Sequence, residues 1–245
     1  MPHRARPQVL RPELIDQDGL SDSELEGNLR DLRRVHRWFG GRGALQPVMS
    51  WIERQPAGSQ LRLLDVGCGG GDGLRDIARH AAQHRIEIQP IGLDRNDRVL
   101  RFADRSRPSV TAAWVLGDAT RLPFRDACFD LVYCALLLHH LPDPRVPALL
   151  RELWRLCRRA LIVVELRRSR LARALVATGA ALSRRGRVTR HDGPLSIAQG
   201  FRAGELSELA RRAGLPPARI ARCFWFRLVL WVERESTSAA APTPP

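Results

Sequence analysis

The sequence predicts an α/β protein built on a doubly wound, mostly parallel sheet of seven strands, with helices ahead of the sheet and an insertion after the fifth strand. Three observations lead there. Short apolar runs alternate with segments of helical spacing between residues 61 and 166, and a glycine-rich turn follows the first of those runs. The closing stretch "ARIARCFWFRLVLWVER" reads as two more strands at one edge. At 245 residues the chain is long enough to bury one substantial core, so a single domain over residues 21–235 is expected.

Each element has its own warrant. Residues 1–20 are rich in Pro, Arg and Gln without periodicity, and the tail "STSAAAPTPP" over 236–245 has little apolar surface to bury, so both are expected as disordered tails. A helix over 21–39, starting near Ser21 or Ser23, carries Leu25, Leu29, Leu32, Val35 and Phe39 at intervals of three and four; "GGRG" is its break, and a second helix spans 45–54. "RLLDV" is a short buried strand, and Leu74, Ile77, Ala78 and Ala81 make a helix face. "IEIQPIGLD", "VTAAWVLGD" and "CFDLVYC" are the next three strands, with a helix over 99–105 between the first two. A helix over 146–158 turns Leu149, Leu150, Leu153, Leu156 and Cys157 inward ahead of the fifth strand, "ALIVVEL". Residues 167–200 are an insertion after the fifth strand, and a helix over 203–213 precedes the last two strands. Such a rhythm covers a parallel sheet on both faces.

Composition narrows the chemistry. All 40 basic residues are arginine, which accounts for much of the +14 net charge as a bias of the sequence. The absence of lysine excludes a Schiff-base lysine, with it pyridoxal phosphate chemistry, and a Walker A lysine. Five cysteines show neither a CxxC pair nor zinc spacing, as in a reduced cytosolic protein. No signal-type h-region and no apolar run of spanning length occurs, so a soluble, cytoplasmic protein is expected.

The stretch "LLDVGCGGGDG" holds the main clue. A dinucleotide fingerprint places glycine first, third and sixth, yet counting from Gly67 the sixth residue is Asp72. The pattern is instead Asp65-x-Gly67-x-Gly69-x-Gly71, with carboxylates on either side. Those acids repel a pyrophosphate and tolerate a ligand that carries an ammonium and a sulfonium. S-adenosyl-L-methionine is such a ligand.

In order, "LLDVGCGGGDG", "IGLDRND", "GDATRLPF" and "FDLVYCALLLHHLPD" resemble the class I S-adenosylmethionine-dependent methyltransferases, a Rossmann-like fold, over residues 61–166. The central segment is similar to the ubiquinone/menaquinone type of small-molecule methyltransferase, and "LRRSRLA" and "RVTRHDGPLS" resemble bacterial methyltransferases found beside type III polyketide synthases. The resemblance implies cofactor binding by Asp65, Gly67, Gly69, Gly71, Asp94, Arg95, Asp118 and Ala119. Asp94 would take the ribose hydroxyls and Asp118 the adenine amino group, with Leu122 and Phe124 packing beside it. Arg33, His36 and Trp38 of the first helix are candidates for folding over the cofactor, or for a solvated helix face.

For the acceptor, the Asn/Asp-Pro-Pro-aromatic stretch of base-amine methyltransferases is missing; an apolar wall from Ala135 to Leu138 ends in His139 and His140. That implies a small aromatic, phenolic or quinonoid acceptor, methylated on O or C. His140 and His191, the latter beside Asp192, are the candidate catalytic bases, and His139 is read as packing. No metal site is evident from spacing. Residues 167–190 hold eight arginines and no acid, with Leu171, Leu175, Thr178 and Leu182 on one helical face. A solvated face of an arginine-biased chain is the default for this segment; beyond it, a substrate lid such as the resembled enzymes build at this place, peripheral membrane contact and an RNA-binding strip compete in that order, and the lack of stacking aromatics disfavours nucleic acid. The alternatives to a small-molecule enzyme are a nucleic-acid methyltransferase and a non-catalytic cofactor-binding module.

Overall fold

Each predicted apolar run contains or overlaps a strand, and a computed structural model describes residues 10–17, 19–38, 41–106, 111–182, 186–223 and 226–234. The seven strands are β1 Gln60–Val66, β2 Glu87–Asp94, β3 Ala113–Leu116, β4 Phe129–Ala135, β5 Cys157–Leu166, β6 Arg219–Cys223 and β7 Arg227–Glu233. They lie in the order β3-β2-β1-β4-β5-β7-β6. The first five are parallel, β7 runs antiparallel to β5, and β6 closes the edge antiparallel to β7.

Alternation along the strands builds two cores. Leu61, Leu63, Leu131, Tyr133, Ile162 and Val229 face α2 (Gly41–Glu53) and α3 (Asp72–Gln83). Leu64, Val66, Val132, Leu161, Leu228 and Leu230 face α5 (Val146–Leu156) and α8 (Ala203–Arg212). A sheet buried on both faces accepts near-continuous apolar strands. α1 (Asp22–Trp38) packs outside this core and, through Leu25 and Leu29, meets Val99 and Phe102 of α4 (Asp97–Arg105).

Four boundaries differ from expectation. α2 starts at Gly41, inside the expected break, because glycine costs little in a first turn whose N–H groups have no helical partners. α5 stops at Leu156 and Cys157 is already strand, since Arg158 must turn out to its ion-pair partner Asp130. β3 shrinks to four residues at the sheet edge. Most consequentially, residues 10–17, expected to be unstructured, form a strap with Leu14–Asp16 as a single 3-10 turn and Glu13 buried. Residues 1–9 and 235–245 of the expected tails lie outside the described residues.

The lid is two helices, α6 (Arg170–Leu182) and α7 (Arg187–Gln199), inserted between β5 and α8. α6 is turned from the expected face. Ala172 is buried and Val176 half-buried, whereas Leu171 and Leu175 are 62% and 52% exposed. Small residues allow this approach: a Cβ on Gly193 of α7 would come within 3.1 Å of Val176. No helix among the described residues is long and apolar enough to cross a membrane.

α7 rejoins the sheet at one crowded point, where Phe201 N donates to Leu166 O at 2.9 Å and Arg168 N to Phe201 O at 2.8 Å. A Cβ on Gly200 would lie 2.5 Å from the Leu166 carbonyl oxygen, which no rotamer change can relieve. Gly200→Ala is therefore expected to cost about 1–3 kcal/mol, read as a lowered urea midpoint. An unchanged midpoint would mean that the lid's return does not constrain the sheet.

Candidate functional site

Strand order reverses between β1 and β4, and the crevice at such a switch point is where open α/β sheets take ligands. A cavity of about 1420 Å³ lies there, walled by the loops after β1 to β4, by the lid helices and by the strap.

Its floor is the glycine turn. Gly67, Gly69 and Gly71 have φ of 74°, 51° and 70°, a left-handed backbone that penalises a side chain. A Cβ on Gly71 would meet the Trp114 ring at 2.4 Å, so β3 enforces that glycine as well. Gly67 N and Cys68 N both donate to Leu93 O, and Gly69 N donates to Asp94 Oδ2 at 3.0 Å. The other oxygen of Asp94 accepts Asn96 N at 3.0 Å, just before the Asn96 side chain caps α4.

The acids around the turn are not equivalent. Asp72 pairs with Arg33 at 3.0 Å and Arg75 at 3.1 Å, which corrects the picture of two uncompensated acids flanking the glycines. Asp65 is the uncompensated one: burial, and then the Asp94 charge, push its carboxyl up to about 8. Burial also raises Asp94, against the opposing pull of the Asn96 and Gly69 N–H groups. Asp118 and Ala119 lie on the cavity rim, where Thr120 N donates to Asp118 at 2.8 Å and holds its carboxyl below the usual range. Arg95 reaches over the rim to the strap's Asp16 at 2.8 Å. Arg33 packs onto the glycine turn through Asp72, and the side chains of His36 and Trp38 lie outside those described.

The histidines separate clearly. His139 and His140 line the cavity, and His191 does not. His139 is buried, with Nδ1 2.9 Å from Glu165 and Nε2 3.6 Å from Glu13. His140 Nδ1 is 2.7 Å from Asp16 and its Nε2 is 3.9 Å from Glu13. Burial alone would lower His140, but the Asp16 hydrogen bond and the charges of Glu13, Asp16 and Glu165 leave it above the usual 6.5. His191 stays 51% exposed while its neighbour Asp192 is buried. Asp192 accepts Leu14 N at 2.8 Å and Ile15 N at 3.1 Å, anchoring the strap, and its Oδ1 also lies 2.8 Å from His191 Nδ1, the expected carboxylate–imidazole contact, with the imidazole outside the cavity lining.

Sequence spacing shows no metal set, yet folding brings ligand atoms of Glu13, His139 and His140 within 4.8 Å of one another. Glu13, Asp16 and Glu165 escaped the sequence reading, as did Arg227, which also lines the cavity. A carboxylate inside the otherwise apolar "LIVVEL" is the signal that marks Glu165.

A family model described as a methyltransferase domain matches residues 63–160. The ubiquinone biosynthesis O-methyltransferase of Ralstonia nicotianae is 30% identical over 200 residues, 76% of this chain and 79% of that protein. The 2-phytyl-1,4-naphtoquinone methyltransferase of Synechococcus elongatus is 34% identical over 155 residues, 60% of each. Among solved structures, a SAM-dependent methyltransferase from Aquifex aeolicus aligns at TM-score 0.58 and 15% identity, over 88% of this chain and 99% of that one. Magnesium protoporphyrin IX methyltransferase from Synechocystis, with bound SAH, aligns at TM-score 0.53 and 17% identity, over 90% and 91%.

An acid raised to about 8 subtracts from stability as pH climbs above the ordinary value of about 3.9, and the loss is complete above about 8. Ligand-free Asp65→Asn is expected to unfold about 1–3 kcal/mol later than the parent in urea near pH 9, with the gap closing toward pH 4. An equal or lower midpoint near pH 9 would reveal a cationic partner for Asp65.

Proposed function

The chain belongs to the class I S-adenosylmethionine-dependent methyltransferases, and we propose that it methylates an oxygen or carbon of a small aromatic acceptor, phenolic or quinonoid. The observation that carries this reading is the wall of the cavity beyond the glycine turn. Ala135, Leu136 and Leu137 end in an imidazole backed by a carboxylate, and Ala172, Val176 and Ile197 of the lid close over them. The apolar surface suits a ring, and the imidazole suits an acidic hydroxyl. Relatives named for ubiquinone and naphtoquinone support the same acceptor class.

The residues present fit the cofactor. Each oxygen of Asp94 accepts one main-chain N–H and keeps a lone pair for a ribose hydroxyl. Asp65, buried beside a second acid, gains from a nearby positive charge. The glycines leave the turn open where side chains would fill it. When bound, S-adenosylmethionine supplies a methyl group on a cationic sulfur, a good leaving group. Alignment then supplies most of the effect. His140 accepts the acceptor's proton at Nε2, while Asp16 at Nδ1 stabilises the imidazolium that results. Its raised pKa makes it a stronger base for a phenol. The strap, tied to α7 through Asp192, carries the Asp16 that holds this imidazole.

Two outcomes test the reading. Asp94→Ala is expected to weaken S-adenosylmethionine binding by about 1.5–3 kcal/mol in a calorimetric titration; unchanged affinity would remove Asp94 from the cofactor site. At saturating cofactor, kcat toward a phenol is expected to rise with pH through a value above 6.5, because only neutral His140 accepts a proton. His140→Ala should lose that limb and about 10²-fold or more in kcat. A retained limb would place the base elsewhere.

A further inference from the structure

Arg227 is a buried cation at the site that neither the cofactor nor the base accounts for. It is 7% exposed, begins β7 at the lid end of the cavity, and its Nε and Nη1 have no hydrogen-bond partner among the described residues. Arg75, the other buried arginine, donates to Ala103 O, Gly70 O and Asp72. Glu165 is the nearest acid by its influence, but register puts it on the opposite face of the sheet: Leu166, not Glu165, pairs with Arg227. The oxygens of Glu165 are in any case occupied by Leu138 N, His139 Nδ1 and Leu166 N. A buried unpaired cation is costly, and the chain adds backbone strain to present it, with Phe226 at φ 62° immediately before.

The surroundings indicate which ligand atom belongs there. Val164, Leu166 and Ala135 line the cavity beside Arg227, and Ala172 and Val176 of α6 line it from the lid. At about 4.8 Å per strand, β7 lies roughly 14 Å across the sheet from β1 and its glycine turn. We infer that Arg227 binds an anionic oxygen of the acceptor, so that the substrate class is a phenolic or quinonoid carboxylate rather than a neutral phenol. This rests on the aromatic-acceptor reading above and adds to it a charge requirement. A guanidinium offers planar, directional donors to a carboxylate, and in an apolar wall such a contact discriminates strongly against a neutral isostere.

The test compares a dihydroxybenzoate with the corresponding dihydroxybenzamide, titrated into protein saturated with S-adenosylhomocysteine. The parent is expected to bind the acid about tenfold or more tightly than the amide. In Arg227→Met the two affinities should converge, Arg227→Lys should keep part of the difference, and S-adenosylhomocysteine affinity should stay within about twofold in both. Ligand-free Arg227→Met should unfold at an equal or higher urea midpoint, since a similar-sized apolar chain replaces an unpaired charge. Equal affinity of the parent for both probes, or affinity for neither, overturns the inference, and so does a lowered midpoint. If Arg227→Met loses S-adenosylhomocysteine but keeps methylthioadenosine, which lacks the amino-acid end, the guanidinium belongs to the cofactor and the inference fails. Methyl transfer to neutral phenols without any carboxylate preference would sink the anchor and leave the aromatic-acceptor reading standing; no transfer to any phenol would sink both.

Discussion

The Asp94 carboxylate is the joint on which this site turns. One oxygen holds Gly69 N and the other Asn96 N, so a single side chain at the end of β2 fixes the glycine turn after β1 and the approach to α4. Its burial has an electrostatic consequence. A second acid, Asp65, sits close enough for the Asp94 charge to raise its cost of ionisation, and among the described residues no ion pair forms to Asp65. The fold thus keeps a deficit of positive charge at the head of β1. Such a deficit disfavours phosphate and favours a cationic ligand, which is the electrostatic preference that the methyltransferase family requires.

A second charge cluster closes the other side of the cavity. Glu13, Asp16 and Glu165 surround His139 and His140, and each imidazole has its Nδ1 committed to a carboxylate. Glu165 is held below its usual range despite complete burial, because His139 and two backbone N–H groups outweigh the desolvation. Below the ordinary histidine pKa the Asp16–His140 pair adds its full stability to the strap, and the contribution is lost as pH rises through His140's raised value. The same titration frees His140 as a base. Closure of the strap and the readiness of the base therefore pull in opposite directions with pH.

Much of the fold was legible in the sequence because it depends on local pattern. Strand alternation, helical spacing and the two-residue spacing of Gly67, Gly69 and Gly71 are all written within a few residues, as is Asp94 at the end of its strand. The strap was not legible. It has no apolar periodicity, and its order comes from pairings such as Asp16 with His140 and Leu14 with Asp192, separated by 124 and 178 residues. The adjacent His191 and Asp192 do pair, at 2.8 Å, but the imidazole stays half-exposed and off the cavity lining while the acid turns inward to the strap, a placement that local sequence does not encode. On α6 the spacing of Leu171 and Leu175 defined an apolar stripe, but small residues, Ala172 and Gly193, decided which side packs closely.

Arg227 completes a polarity that no single residue reveals. Asp65 and Asp94 set two acids at one end of the cavity, Arg227 sets a cation at the lid end, and the intervening Ala135, Leu136 and Leu137 carry no charge. In a desolvated space this gradient acts on whatever lies along it. A ligand with a positive centre is drawn to the glycine turn, and one with a negative group is drawn away from it, toward β7. Orientation then comes from charges fixed before binding, at no further cost in reorganisation. For a reaction that asks mainly for alignment of donor and acceptor, two opposite charges at the ends of an apolar channel are a sufficient device.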